Sequence, residues 1–369
     1  MFATETSTRM TAGLLLAFVI LPGAGAQQPA TATAEGLFQE GLVALKGERY
    51  ADAEAAFRKQ MELAPENILA VLGVTQVYMA QKRSSDALRF LQDEAARRPA
   101  RADLKLALGD TAVRAGQYDV AITALRAALQ TGESGIPKDL SVPRGTGNVT
   151  APVKEADPVA ASMNVLMARD ATPKGEAGIH VRLAEALQLK KDPAGAAAEW
   201  QKVSELVPQN GAVLGNLAMQ LESSGKKQDA IKTYREVLAL TPTNAVALNN
   251  LAFLLADTGG DLYEALRLAR RARAFAPGMA NVIDTEAYVA MKQGFIDDAL
   301  GSFLHVVEME PDNVEFRKHL SAAITMRNIQ SPATDNLTKA LNRPFVPGDQ
   351  EAIRALIRSL TTETENKRK

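Results

Sequence analysis

Three histidines, at 180, 305 and 319, are the only imidazoles in a chain of 369 residues, and no H-E-x-x-H metal helix is among their surroundings. There is no G-x-S-x-G elbow and no phosphate-binding loop. Cysteine is absent, which removes thiolate nucleophiles, thiolate metal sites, disulfides and a cysteine-linked lipid anchor together. Carboxylates occur on most helical stretches, but nothing frames two of them as acid and base. The expectation is therefore no enzyme, no metal and no cofactor. His180 and His305 fall on apolar faces and are expected to be packed side chains. Arg267, Arg270, Arg271 and Arg273 form a basic cluster, expected to be a solvated outer helix face, with an acidic partner or anionic glycan as the alternative.

The elements that must position these residues come from a repeat. Residues 211–244, 245–279 and 280–313 are three similar passages of 34, 35 and 34 residues. Each has apolar residues at its fourth and eleventh positions (and the first two at the seventh, where the third has Glu286), a small residue near the twentieth, an aromatic or small residue near the twenty-fourth and a proline near the thirty-second. The same pattern fits 34–67, 68–101, 102 to about 135, and 177–210, where Trp200 takes the bulky position. Residues 314–346 carry it in degenerate form. Each unit should be two antiparallel helices, neither of which can bury its apolar stripe alone. Small residues such as Ala230, Ala265 and Ala299 allow close approach, and Tyr234 and Phe303 fill the gap beside them. Asn67, Asn210, Asn244 and Asn313 stand where they can N-cap the next unit's first helix. Gly225 and Gly294 stand where first helices end and a left-handed residue is convenient. Hydrophobic residues make up 46% of the chain and aromatics 5%, so the core should be built mostly of Ala, Leu, Val and Met.

The period fails between the third and fourth units. Residues 131–176 hold prolines at 137, 143, 152, 158 and 173 and glycines at 132, 135, 145, 147 and 175, a density that defeats long helices. Within it, Val159, Met163, Leu166 and Met167 fall at helical spacing, expected as a short helix over the seam, with a segment lying in the groove as the alternative. The domain reading is a signal peptide at 1–26, a flexible lead at 27–33, three repeats in 34–135, a Pro/Gly-rich insertion at 136–176, four repeats and a degenerate one in 177–346, a capping helix at 347–361 and a disordered tail at 362–369. The break would divide the array into blocks of three and five units.

The period and its residue positions resemble the tetratricopeptide repeat family. The resemblance implies an all-α fold: a right-handed α-solenoid of about eight helix–turn–helix units with a C-terminal capping helix. It also implies that ligands meet first-helix positions two, five, six, nine and twelve on a concave face. In the last five repeats those positions include Arg182, Glu185, Asn216, Met219, Asn249, Asn250, Phe253, Asp284, Thr285, Tyr288, Lys318 and His319. The amides can hydrogen-bond a peptide backbone or sugar hydroxyls, and Phe253 and Tyr288 can stack on either. Some relatives clamp a C-terminal carboxylate with a first-helix lysine followed four residues later by asparagine. Only Lys318 is basic at position five here, and Ala322 follows it, so that clamp is absent.

Residues 1–26 carry Arg9, an apolar run from Ala12 to Leu21 and the small-x-small pattern Ala24-Gly25-Ala26, as a secretory signal does. The apolar run is about half the ~20 residues a membrane-spanning helix needs. Export to the periplasm, or secretion, is the expectation, with no integral membrane segment once the signal is cleaved near Gln27. A formal net charge of −1 gives no general attraction for nucleic acid. The passage from Asn249 to Leu300 resembles the C-terminal repeats of tetratricopeptide proteins linked to exopolysaccharide or cellulose export. Together these readings imply a non-catalytic interaction scaffold with a protein or peptide partner. The alternatives are a glycan-binding module contacting polysaccharide directly, and an adaptor in outer-membrane assembly or secretion.

Overall fold

The computed structural model describes residues 33–131 and 175–327, and among them there are fifteen α-helices and no strand. They are α1 (Ala34–Lys46), α2 (Tyr50–Leu63), α3 (Ile68–Ala80), α4 (Ser84–Arg97), α5 (Ala102–Arg114), α6 (Tyr118–Leu129), α7 (Gly175–Leu189), α8 (Pro193–Leu206), α9 (Gly211–Ser223), α10 (Lys227–Leu240), α11 (Ala245–Asp257), α12 (Leu262–Phe275), α13 (Ala280–Lys292), α14 (Ile296–Met309) and α15 (Val314–Met326). Consecutive helices pack in pairs and each pair packs on the next, which is an all-α solenoid of helix–turn–helix units. Seven pairs and the first helix of an eighth lie within the described residues. The expected signal peptide, most of the insertion, the second helix of the degenerate unit, the capping helix and the tail lie outside them.

The local reasons for each helix are visible in its ends. The side chains of Asn67, Asn210, Asn244 and Asn313 accept hydrogen bonds from backbone N–H groups in the first turns of α3, α9, α11 and α15. Each such bond satisfies a donor the helix leaves without an internal partner. Thr33, Asp192 and Asp261 do the same for α1, α8 and α12.

Packing follows the small-and-bulky pattern. Ala230, Ala265 and Ala299 are at most 1% exposed, and Tyr234 and Phe303 fill the space beside them just as completely. Trp200 is also buried. Gln60 of α2 is 1% exposed, with α3 packed against α2. One expectation is corrected. His305, expected as a packed side chain, is instead exposed on α14, whose buried stripe runs through Phe303, Leu304, Val306 and Val307 on either side of it.

The seam across the insertion is closed. One apolar cluster contains Leu104, Leu108 and Leu125 together with Ile179, Leu183, Leu187 and Ala196, so α5 and α6 share a core with α7 and α8. Two ion pairs fasten the same seam, Arg182 to Asp110 at 3.0 Å and Lys190 to Asp119 at 2.6 Å. First helices also touch the first helix of the following unit, as in α1–α3, α5–α7, α11–α13 and α13–α15. The stack is therefore tighter on the first-helix side, which makes that side concave.

Candidate functional site

The concave face is built from residues one helical turn apart on successive first helices. Five of the twelve residues singled out by position are partly open there: Arg182, Met219, Asn249, Asn250 and Phe253; Glu185, Asn216 and Lys318 are exposed. Asp284, Thr285, Tyr288 and His319 are buried. Asp284 and Tyr288 pack against His319, and Tyr288 also against Phe253, so they support the surface from below and do not present themselves to a ligand.

The central part of the face is a chain of hydrogen bonds. Asn249 Nδ2 donates to Asn250 Oδ1 at 3.2 Å, Asn250 Nδ2 donates to the Tyr234 hydroxyl at 2.9 Å, and that hydroxyl donates to Glu222 Oε2 at 3.1 Å. The Asn249 Oδ1 atom is buried and has no partner among the described residues. Burial pushes the Glu222 carboxyl above the ordinary carboxylate range, against the Tyr234 hydrogen bond and nearby Lys227, with Asp257 adding to the rise. Burial likewise pushes the Tyr234 phenol well up, and the Glu222 charge adds to it. Asn250 is thus held in one orientation by Tyr234, a residue of the preceding unit.

Towards the C-terminal end the face is aromatic. Phe253 and Tyr288 have ring centroids 5.2 Å apart, and Tyr288 and His319 are 4.7 Å apart, so three successive first helices contribute one ring each. Phe303 backs His319 at 5.7 Å, and Lys292 Nζ lies 5.2 Å from the Tyr288 ring. Under this ladder, His319 Nδ1 and Asp284 Oδ2 are 2.8 Å apart. Burial raises the Asp284 carboxyl and the hydrogen bond with His319 opposes that rise. Asp284 Oδ1 is buried without a partner among the described residues.

Towards the N-terminal end the face is ionic. Arg182 pairs with Asp110, while Glu185 follows three residues after Arg182 on the same helix. At the other end of the array, Lys318 pairs with Glu315 of its own helix, at 3.0 Å. Sequence reasoning missed Asp110, Tyr234, Glu222 and Asp257. Asp110 stands at position nine of the third repeat, so the positional rule would have found it had it been applied to the first block. Tyr234 was correctly placed as a packing residue, but its second role in orienting Asn250 has no sequence signal.

Outside this face, the four arginines of α12 are on the surface as expected. Arg270 and Arg273 lie 3.7 and 3.8 Å from Glu286, and Arg271 donates to the Pro242 carbonyl at 2.7 Å. Together with Tyr263, Leu266 and Ala274, three of them line a shallow cleft of about 420 Å³. His180 is buried and its Nδ1 lies 2.6 Å from Glu199 Oε2. Burial raises the Glu199 carboxyl, but hydrogen bonds from His180 and Lys202 outweigh it and hold that group below its ordinary range. Among the described residues no group of three or more His, Asp or Glu is placed to hold a metal ion, and no helix is long and apolar enough to cross a membrane.

Residues 75–136 match the tetratricopeptide repeat family. No curated protein matches the chain in sequence. Solved structures similar to it include YrrB, described as a tetratricopeptide repeat protein with an unusual peptide-binding site, at 16% identity over 62% of this chain and 96% of that one, with a TM-score of 0.43. Others are the pilF protein of Pseudomonas aeruginosa, at 16% identity over 69% of this chain and 96% of that one (TM-score 0.39), and a tetratricopeptide repeat protein of Parabacteroides merdae, at 10% identity over 79% and 98% (TM-score 0.42). These likenesses concern the fold alone.

Proposed function

We propose that the chain is a non-catalytic scaffold that holds a partner protein or peptide along the concave face of its repeat array. One observation carries this: Asn216, Asn249, Asn250 and Phe253 remain at least partly open on successive first helices, on a face that the packing of the solenoid does not consume. Amides offer both donors and acceptors to an extended backbone, and the exposed edge of Phe253 offers an apolar anchor. Export through residues 1–26 into the cell envelope belongs to the same proposal, with polysaccharide export, outer-membrane assembly or secretion as the settings in which such a scaffold would act. Direct binding of exopolysaccharide is the second reading, and the stacked rings of Phe253 and Tyr288 favour it. Tyr288 is only 8% exposed, however, which leaves a sugar one partly open ring to stack on.

Affinity capture from the native envelope fraction separates these readings when it is run with wild-type chain and with an Asn216→Ala, Phe253→Ala double variant. A stoichiometric protein partner retained by the first and lost by the second supports the scaffold. Saturable retention on polysaccharide without a protein partner moves the assignment to a glycan-binding module. A partner that both forms retain equally removes the concave face from the account. Sequencing the N-terminus of the exported protein tests localisation on its own: a start near Gln27 is expected, and an intact residue 1 in the cytoplasmic fraction contradicts it.

A further inference from the structure

Four charged side chains meet on the concave side where α5 faces α7. Asp110 and Arg114 are one turn apart on α5, and Arg182 and Glu185 are three residues apart on α7, so each pair shares a helix face. The middle of the quartet is paired. Arg182 Nε donates to both Asp110 oxygens, at 3.0 and 3.3 Å, and its Nη1 donates to the Gly178 carbonyl at 3.1 Å. The outer two members are not. Arg114 donates to the Thr111 hydroxyl at 3.3 Å and forms no ion pair among the described residues. Glu185 forms neither a hydrogen bond nor an ion pair among them.

Both side chains are exposed, and the charges of the quartet beside them bear on their titration. Burial lowers the Arg114 guanidinium from its ordinary value, with Asp110 opposing. Burial raises the Glu185 carboxyl, with Arg182 opposing and Asp110 adding. Because both side chains are exposed to solvent, a ligand can reach them. An exposed charge without an ion-pair partner beside a fixed salt bridge is open to a bound group of opposite sign.

We propose that this quartet is a charge-selective peptide subsite, in which Arg114 takes a carboxylate side chain and Glu185 a basic side chain of one bound segment. The Asp110–Arg182 pair keeps the two positions apart and of opposite sign. This rests on the concave face being the partner-binding face and adds which partner it selects. Leu106 and Val181 occupy the fifth positions of these two helices, so the arrangement is not a lysine–asparagine clamp for a chain terminus. A neutral glycan supplies neither charge and an acidic glycan supplies only one, which is why a polypeptide is the ligand that fits.

The test is selection of phage-displayed random dodecapeptides on the immobilised full-length chain, with Arg114→Gln and Glu185→Gln variants alongside. Both substitutions lie at the groove surface, and thermal melting of each variant verifies that the fold is retained. The wild type is expected to enrich peptides carrying both an acidic and a basic residue. Arg114→Gln loses the acidic preference and Glu185→Gln the basic one, and a selected peptide binds each variant about tenfold more weakly. Equal binding to wild type and both variants overturns the subsite. If that binding is instead lost on Asn216→Ala or Phe253→Ala, the groove reading stands and only the subsite falls. If no peptide survives selection on any form of the chain, the peptide-binding reading falls with it.

Discussion

Phe57 is fully buried, and its ring occupies the volume that a Cβ on either Gly41 or Gly73 would need, 2.5 Å away in both cases. One aromatic side chain on a second helix thus dictates glycine on the first helices of two units. Gly73→Ala should destabilise the chain by about 1–3 kcal/mol, since the ring has no free space to move into. Phe57→Leu should recover part of that loss in a double-mutant cycle read by chemical denaturation, and simple additivity would contradict the contact. Glu222 gives a prediction in pH. Its carboxyl is raised in the folded chain, so the folded state favours the protonated form. The stabilisation this gives is complete below the unfolded pKa and disappears as pH rises through the folded one. Glu222→Gln should therefore raise the Tm at neutral pH, and the difference should shrink as pH falls through the raised value. A difference independent of pH would contradict the assignment. At this scale the sequence was informative about Tyr234, Trp200 and the small alanines, whose burial follows from position within one unit. It placed Asp284, Tyr288 and His319 at ligand-facing positions although they are buried, because the side chains packed on them belong to neighbouring units.

Each of the seven turns joining a first helix to its second helix contains one residue with positive φ: Glu48, Lys82, Gly116, Lys191, Gly225, Gly259 and Gly294. The left-handed conformation is thus a requirement of the element, met by glycine in four turns and by charged residues in three. A Cβ is strained there, and Gly225 sits at φ +81. Gly225→Ala should cost about 1 kcal/mol although nothing lies within 4 Å of the added methyl group. Urea denaturation checks this, and an unchanged midpoint would show that the turn relaxes freely. The helices themselves were legible from the period, and four asparagine caps from their place before apolar runs. The turn conformations at Glu48, Lys82 and Lys191 were not, since those residue types carry no left-handed signal.

For the whole molecule, the interrupted period suggested two blocks, and the packing joins them through a common core. Which helix a chain meets after a long insertion depends on the apolar faces left uncovered, and the face left by α5 and α6 matches that of α7. Leu183, fully buried in this joint core, gives the corresponding test. Leu183→Ala should destabilise by about 2–5 kcal/mol and speed amide exchange in α5 and α6 as well as α7 and α8. Exchange confined to the second pair would show that the blocks are energetically separate. Within the described residues the solenoid was anticipated by the repeat, whereas only part of the concave face was, because position tells which side a residue faces and not how deeply its neighbours bury it. Partners are proposed to bind on the first-helix side, and the affinity of the captured partner for two full-length variants tests this, one substituted in the groove (Asn216→Ala, Phe253→Ala) and one on the outer face (Arg267→Ala, Arg271→Ala). A loss of about tenfold or more is expected for the groove variant and no change for the outer one; the reverse pattern would contradict this and move binding to the outer face.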